Sequence, residues 1–211
     1  MNKRINTNNH ILIMDLKTGD IVLFSEHPYG GWLACIDWGI RCWTKSPYSH
    51  VGMVIINPPW TKKGTYIWDS SKHIHKDPED GKIKYGIALV PIQDYINCPS
   101  GKQKLYKRSP INPKTYELFD DKALNKIHDK VYGCHYDNTV GHWLAAMVHI
   151  LIPRTDKRFW CSAFISYMLT ELRILDSDTD WTVISPADLS EKGRKLKWND
   201  PYGPDILFSE N

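Results

Sequence analysis

The stretch RFWCSAFISYML, residues 158–169, places a cysteine, Cys161, where charged sequence gives way to an apolar helical pattern. Phe164, Ile165, Met168, Leu169 and Leu172 follow it at helical spacing, so Cys161 stands in a first turn, on the stripe that must be buried. Backbone N–H groups in a first turn have no partner inside the helix, and the helix dipole is positive there. A sulfur in that setting favours thiolate over thiol, and the same N–H groups can hold an oxyanion formed on an attacked carbonyl. The chemistry this allows is nucleophilic acyl transfer. The plainer reading is a free cysteine packed as a small hydrophobe.

A thiolate nucleophile needs a base, and nine histidines are available. His50 opens a strand-like run, SHVGMVII, in which His50, Gly52, Val54 and Ile56 share one face. Gly52, one pleat beyond the histidine, leaves room for a close approach. The imidazole in turn needs a group to orient it. Asp69 ends the neighbouring strand, TYIWDSS, where a carboxylate in an otherwise apolar hairpin needs a partner; strand-end capping is the alternative, with Ser70 and Asp77 as rivals. His73, His75, Cys134, His135, His142 and His149 are metal-ligand types, but none follows a zinc spacing such as HExxH.

These residues must be positioned by a mixed set of elements. Strands are expected at 21–24, 49–56, 65–71 and 86–92, with one more within 97–119, a region otherwise read as loop because of prolines at 99, 110 and 113. KHIHKDPEDGK reads as a polar turn between the third and fourth strands. Amphipathic helices are expected over 30–46, 120–133, 140–153 and from Cys161 to about residue 173, with SPADLSEKG as a capped turn.

The bulk composition narrows the class. With 211 residues, 42% hydrophobic, the chain suits one globular domain. A net charge of +3, with basic residues scattered, gives no clustered surface for nucleic acid. Five cysteines without a CxxC pair suggest neither a disulfide framework nor a four-cysteine zinc site. No secretory leader or membrane-spanning run is apparent, so a reducing, cytoplasmic location is expected. Tryptophan-rich stretches at 32–43 and 143–152 suit core packing, an apolar cleft or a peripheral membrane contact.

In order, LKTGDIVLF, SPYSHVGMVI, YIWDSS, VPIQDYI, YGCHYD, WCSAFI and SPADL resemble the motifs of the circularly permuted branch of the NlpC/P60 papain-like superfamily. That branch includes bacterial YiiX-like proteins, a poxviral group and, more distantly, lecithin:retinol acyltransferase-like enzymes. The resemblance runs from about residue 15 to about 190, which divides the chain into an extension (1–14), a catalytic domain (15–191) and a tail (192–211). It implies an α+β papain-like fold: an antiparallel sheet of about five strands with the cysteine-bearing helix packed against it. It also implies Cys161 as nucleophile and His50 as base. Asp69 falls at a third position that is commonly glutamate in the YiiX-like proteins. Tyr136 matches a tyrosine near the cleft, and Tyr48 and Trp160, in the motifs of His50 and Cys161, are assigned with it to substrate contact. The activity implied is a cysteine hydrolase acting through an acyl-thioester on a peptide or other amide, or on an acyl lipid, with no metal or cofactor. The alternatives are an acyltransferase or phospholipase-type lipid enzyme, and a catalytically inactive binding module of the same fold.

Overall fold

The computed structural model describes residues 15–25, 41–42, 44–97, 103–137 and 158–210. Their centre is an α+β arrangement built on one mixed sheet. Its strands are β1 (Ile21–Phe24), β2 (His50–Ile56), β3 (Thr65–Lys76), β4 (Ile83–Pro91), β5 (Lys104–Arg108), β6 (His135–Tyr136), β7 (Arg158–Phe159) and β8 (Ile206–Glu210). Their spatial order is β7-β6-β4-β3-β2-β1-β5-β8. Every neighbouring pair is antiparallel except β6 and β7, which run parallel.

Five of these strands occupy the places that the sequence pattern indicates. The sheet nevertheless has eight strands among the described residues rather than about five, and it is mixed rather than antiparallel. Two additions, β6 and β7, are two residues long, too short to leave a periodic signal. The third, β8, lies in the segment set apart as a tail and adds to the edge of β5, pairing Leu105 with Ser209 and Tyr106 with Leu207. The third strand also runs five residues beyond its expected end, to Lys76. Polar residues sit in a strand there because their partners lie across the hairpin: the His73 ring meets the Gly86 carbonyl at 2.9 Å.

The two faces of the sheet carry separate cores. One is closed by α1 (Ile92–Ile96), a five-residue helix that begins on the last residue of the strand expected over 86–92 and that the sequence pattern did not indicate. Ile92, Tyr95 and Ile96 pack there with Val22, Phe24, Val54, Ile67 and Val90. The other core is closed by α2 (Asp121–Val131) and α3 (Cys161–Glu171) against Val51, Met53, Ile55 and Trp68. Helix α2 is capped as its sequence indicates: the Asp120 carboxylate accepts from the Ala123 N–H at 2.7 Å, and Gly133, at φ +77°, turns the chain after the last helical residues. Helix α3 is buried all round its first nine residues, not along one stripe only. Helical spacing alone cannot reveal that, because serines at 162 and 166 look like a solvent face. A turn of 3-10 helix at Pro186–Leu189 closes with a reciprocal capping box between Ser185 and Asp188.

Most of the expected helix over 30–46, the whole of that over 140–153, Cys35, Cys98, His142, His149 and most of the tryptophan-rich stretches lie outside the described residues.

Candidate active site

The strand register determines which side chains can meet. Because Met53 pairs with Trp68, Gly52 stands opposite Asp69, and both belong to the face that α1 covers. His50 lies one pleat along β2 on the same face. A Cβ on residue 52 would stand 2.3 Å from Ile67 Cγ2 and 3.2 Å from Asp69 Cβ, so only glycine lets β3 come this close. The space anticipated at Gly52 is therefore filled by the strand that carries the carboxylate. The result is a contact of 2.5 Å between His50 Nε2 and Asp69 Oδ2, with His50 2% exposed and Asp69 fully buried.

Cys161 reaches the same imidazole from the opposite face, in the first turn of α3. Cys161 lies close enough to the His50 ring to raise its proton affinity directly. With Nε2 committed to Asp69, Nδ1 is the ring nitrogen left to face the sulfur. Three anchors fix the start of α3. The Ser162 hydroxyl donates to the Ile184 carbonyl at 2.6 Å, and the Trp160 indole N–H donates to the same oxygen at 3.3 Å. Ser70, next to Asp69, donates to the Phe159 carbonyl at 2.7 Å and so ties the strand of Asp69 to the segment that leads into Cys161. Trp160, in extended geometry at the N-cap, makes no side-chain cap hydrogen bond to the first turn. The first-turn N–H groups of α3 therefore have neither a cap from Trp160 nor an acceptor within the helix.

The charges reinforce one another. Burial alone would discharge the His50 ring, but the interactions with Cys161 and with the Asp69 carboxylate outweigh it and push the imidazole up to about 10. Burial likewise opposes the Asp69 charge, yet His73, His50 and Tyr95 hold its carboxyl below the usual aspartate value.

The structure thus brings Cys161, His50 and Asp69 into one cluster. The rivals for the third position have other work. Ser70 holds β7, and Asp77 binds Lys84 at 2.7 Å and accepts from the Leu89 N–H. The residues assigned to substrate contact are placed differently. The Tyr48 hydroxyl donates to Asp205 at 2.8 Å, and the Trp160 N–H is engaged by Ile184, so the polar groups of both serve the scaffold. Tyr136 is half-buried on β6, its ring 5.5 Å from that of Tyr85. Two residues next to the cluster escaped the sequence reading as site residues: Tyr95, whose hydroxyl donates to Asp69 Oδ2 at 2.9 Å, and Phe24, whose ring meets the His50 ring edge-on at 4.9 Å. The only signal for Tyr95 was its place in VPIQDYI. His73, considered for metal binding, instead stands with Nε2 3.9 Å from Asp69 Oδ1. Among the described residues no group of three His, Cys, Asp or Glu side chains is arranged to hold a metal ion. Nor is any helix among them long and apolar enough to cross a membrane.

No family model matches the chain, and no curated protein matches it.

Proposed function

We propose that the chain is a papain-like cysteine hydrolase that forms an acyl-thioester from an amide, peptide or acyl-lipid substrate. The observation that carries this reading is the continuous set of contacts from the Cys161 sulfur through the His50 ring to Asp69. Cys161 gives its proton to His50, and the thiolate adds to the substrate carbonyl. The oxyanion faces the N–H groups of the first turn of α3. Collapse expels the leaving amine or alcohol, which takes the proton from His50. Water, giving its proton to the same ring, then hydrolyses the thioester and frees the acid; another acceptor in place of water would make the site an acyltransferase. Asp69 orients the ring and stabilises its positive state. The motif resemblance to the permuted NlpC/P60 branch supports the same assignment. No step calls on a metal or cofactor. The free thiol is suited to a reducing, cytoplasmic setting. A peripheral membrane contact belongs to the acyl-lipid form of the proposal.

The test is covalent labelling of the full chain with acyl-lipid and peptide probes that bear thiol-reactive groups. Labelling is expected at Cys161, to disappear in His50→Ala and to persist in the presence of a chelator; the preferred probe class identifies the substrate class. Equal labelling of His50→Ala and the parent protein would overturn the proposal and leave a binding module of the same fold as the better reading.

A further inference from the structure

The Asp69 oxygen that meets His50 is shared. Tyr95, 1% exposed, rises from α1 and places its hydroxyl 2.9 Å from the same Oδ2. Its ring lies edge-on to Phe24 at 4.9 Å, and Phe24 lies edge-on to His50 at the same distance. Four side chains from four elements therefore close a loop: His50 from β2, Asp69 from β3, Tyr95 from α1 and Phe24 from β1. The second oxygen, Oδ1, is buried without a hydrogen-bond donor, and the His73 ring is 3.9 Å away. A carboxylate with one oxygen so held and the other unsatisfied has a competing orientation open to it, rotation toward His73.

We infer that Tyr95 is a positioning residue for the cysteine–histidine pair: its hydroxyl holds Asp69 in the rotamer that presents Oδ2 to His50. This rests on the cysteine hydrolase reading and extends it by a fourth member. Aspartate, one methylene shorter than the glutamate common at the matching position, has less reach toward the ring, and the hydroxyl limits the directions in which it can turn. The titratable groups facing the carboxylate among the described residues are His50, His73 and Tyr95, with Cys161 beyond His50. The hydroxyl also contributes to holding the carboxyl ionised. In Tyr95→Phe the ring that packs on Phe24 stays and only the hydroxyl leaves. Asp69 is then free to turn toward His73, and the His50 ring loses part of the support for its proton.

The experiment measures alkylation of Cys161 by iodoacetamide in the full-length protein, followed at that residue by mass spectrometry, at pH 6.5 and at pH 10. At pH 6.5 an ordinary thiol is un-ionised and the rate depends on His50; at pH 10 a thiol ionises without help. Tyr95→Phe is expected to slow alkylation at pH 6.5 about tenfold, equivalent to one pKa unit or ~1.4 kcal/mol, and to leave the rate at pH 10 unchanged. Asp69→Asn is expected to do the same or more, and Tyr95→Phe added to Asp69→Asn to do nothing further. A purely packing role would change both pH values alike and would add to Asp69→Asn. If Tyr95→Phe matches the parent at pH 6.5 while His50→Ala is slow, Tyr95 has no positioning role and the hydrolase reading stands. If His50→Ala also matches the parent at pH 6.5, the hydrolase reading fails and this inference with it. Should Tyr95→Phe fold poorly, the comparison of Asp69→Asn with and without Tyr95→Leu decides in the same way.

Discussion

Substitution of Gly52 by alanine tests the geometry of the site without touching any reacting group. The new methyl would stand 2.3 Å from Ile67 Cγ2, against about 3.5–4.0 Å for carbon atoms in contact. That methyl sits on the Cβ of a β-branched side chain that is itself fully buried, so it cannot swing away. Strand β3 must yield instead, by about an ångström, and Asp69 moves with it because its own Cβ is the next atom met, at 3.2 Å. Overpacking of this kind costs about 1–3 kcal/mol. For a chain of this size each kcal/mol lowers Tm by roughly 2–4 °C, so a fall of about 2–12 °C is expected in thermal unfolding followed by circular dichroism. The same displacement lengthens a contact that is 2.5 Å in the native protein, and displacement on that scale can cost up to about a hundredfold in turnover. His50-dependent labelling at neutral pH should therefore fall further than Tm alone explains. A variant with native Tm and native labelling would refute the account of how β2 and β3 meet.

Three further outcomes follow from the same contacts. His50, raised from 6.5 to about 10, keeps in the native state a proton that the unfolded chain has released. Its stabilisation is present in full below pH 6.5 and is lost as pH rises through about 10; Cys161→Ser should flatten that alkaline loss in urea titrations, because the negative sulfur is gone. Asp69 acts in the opposite sense: its stabilisation is present above the ordinary value of 3.8 and disappears as pH falls below it, so Asp69→Ala, which leaves His50 buried without its counter-charge, should cost about 3–5 kcal/mol near neutral pH in the same titrations. Arg108 donates to the Leu189, Tyr202 and Gly203 carbonyls at 2.6–2.8 Å, so Arg108→Met should free the chain before β8, seen as faster amide exchange over 200–210.

The central strands were readable because both of their faces are apolar. Ile21 to Phe24 form an unbroken buried run, and β2 adds Met53 and Ile55 on one face to Val54 on the other. The cysteine and histidine stood out by position, one opening a helix and the other opening a strand, but their pairing came only from the motif resemblance. What was not readable depended on neighbours distant in sequence. Residues 72–76 look like turn chemistry until β4 supplies their partners. Ile92 looks like the end of the strand expected over 86–92, yet Pro91 caps a helix that begins there and runs to Ile96. Beyond its place in VPIQDYI, Tyr95 gives no signal as a site residue, since only the fold brings it, 26 positions from Asp69 in sequence, to hydrogen-bond distance. Tyr48 and Trp160 were singled out as aromatic residues beside catalytic-type side chains; the fold adds that Asp205 and Ile184 take their polar groups.

The division of the site between the two faces of the sheet has a consequence for how it is held. His50, Asp69, Tyr95 and Phe24 belong to the α1 side, whereas Cys161 comes from the α3 side and meets the ring at the end of β2. The distance between sulfur and imidazole is set where α3 packs on Val51, Met53 and Ile55 of β2, the strand that carries His50. The Ser70 hydroxyl, on the same side of the sheet, ties β3 to Phe159, two residues before Cys161. It restrains two strands that β4 and β6 separate in the sheet. Cys161 is thus registered against His50 by that packing, by the Ser70 hydrogen bond and by the Ile184 anchors, and on the proposed reading the charges of the pair draw the two layers together. Packing and charge are coupled here, so weakening either should loosen the other.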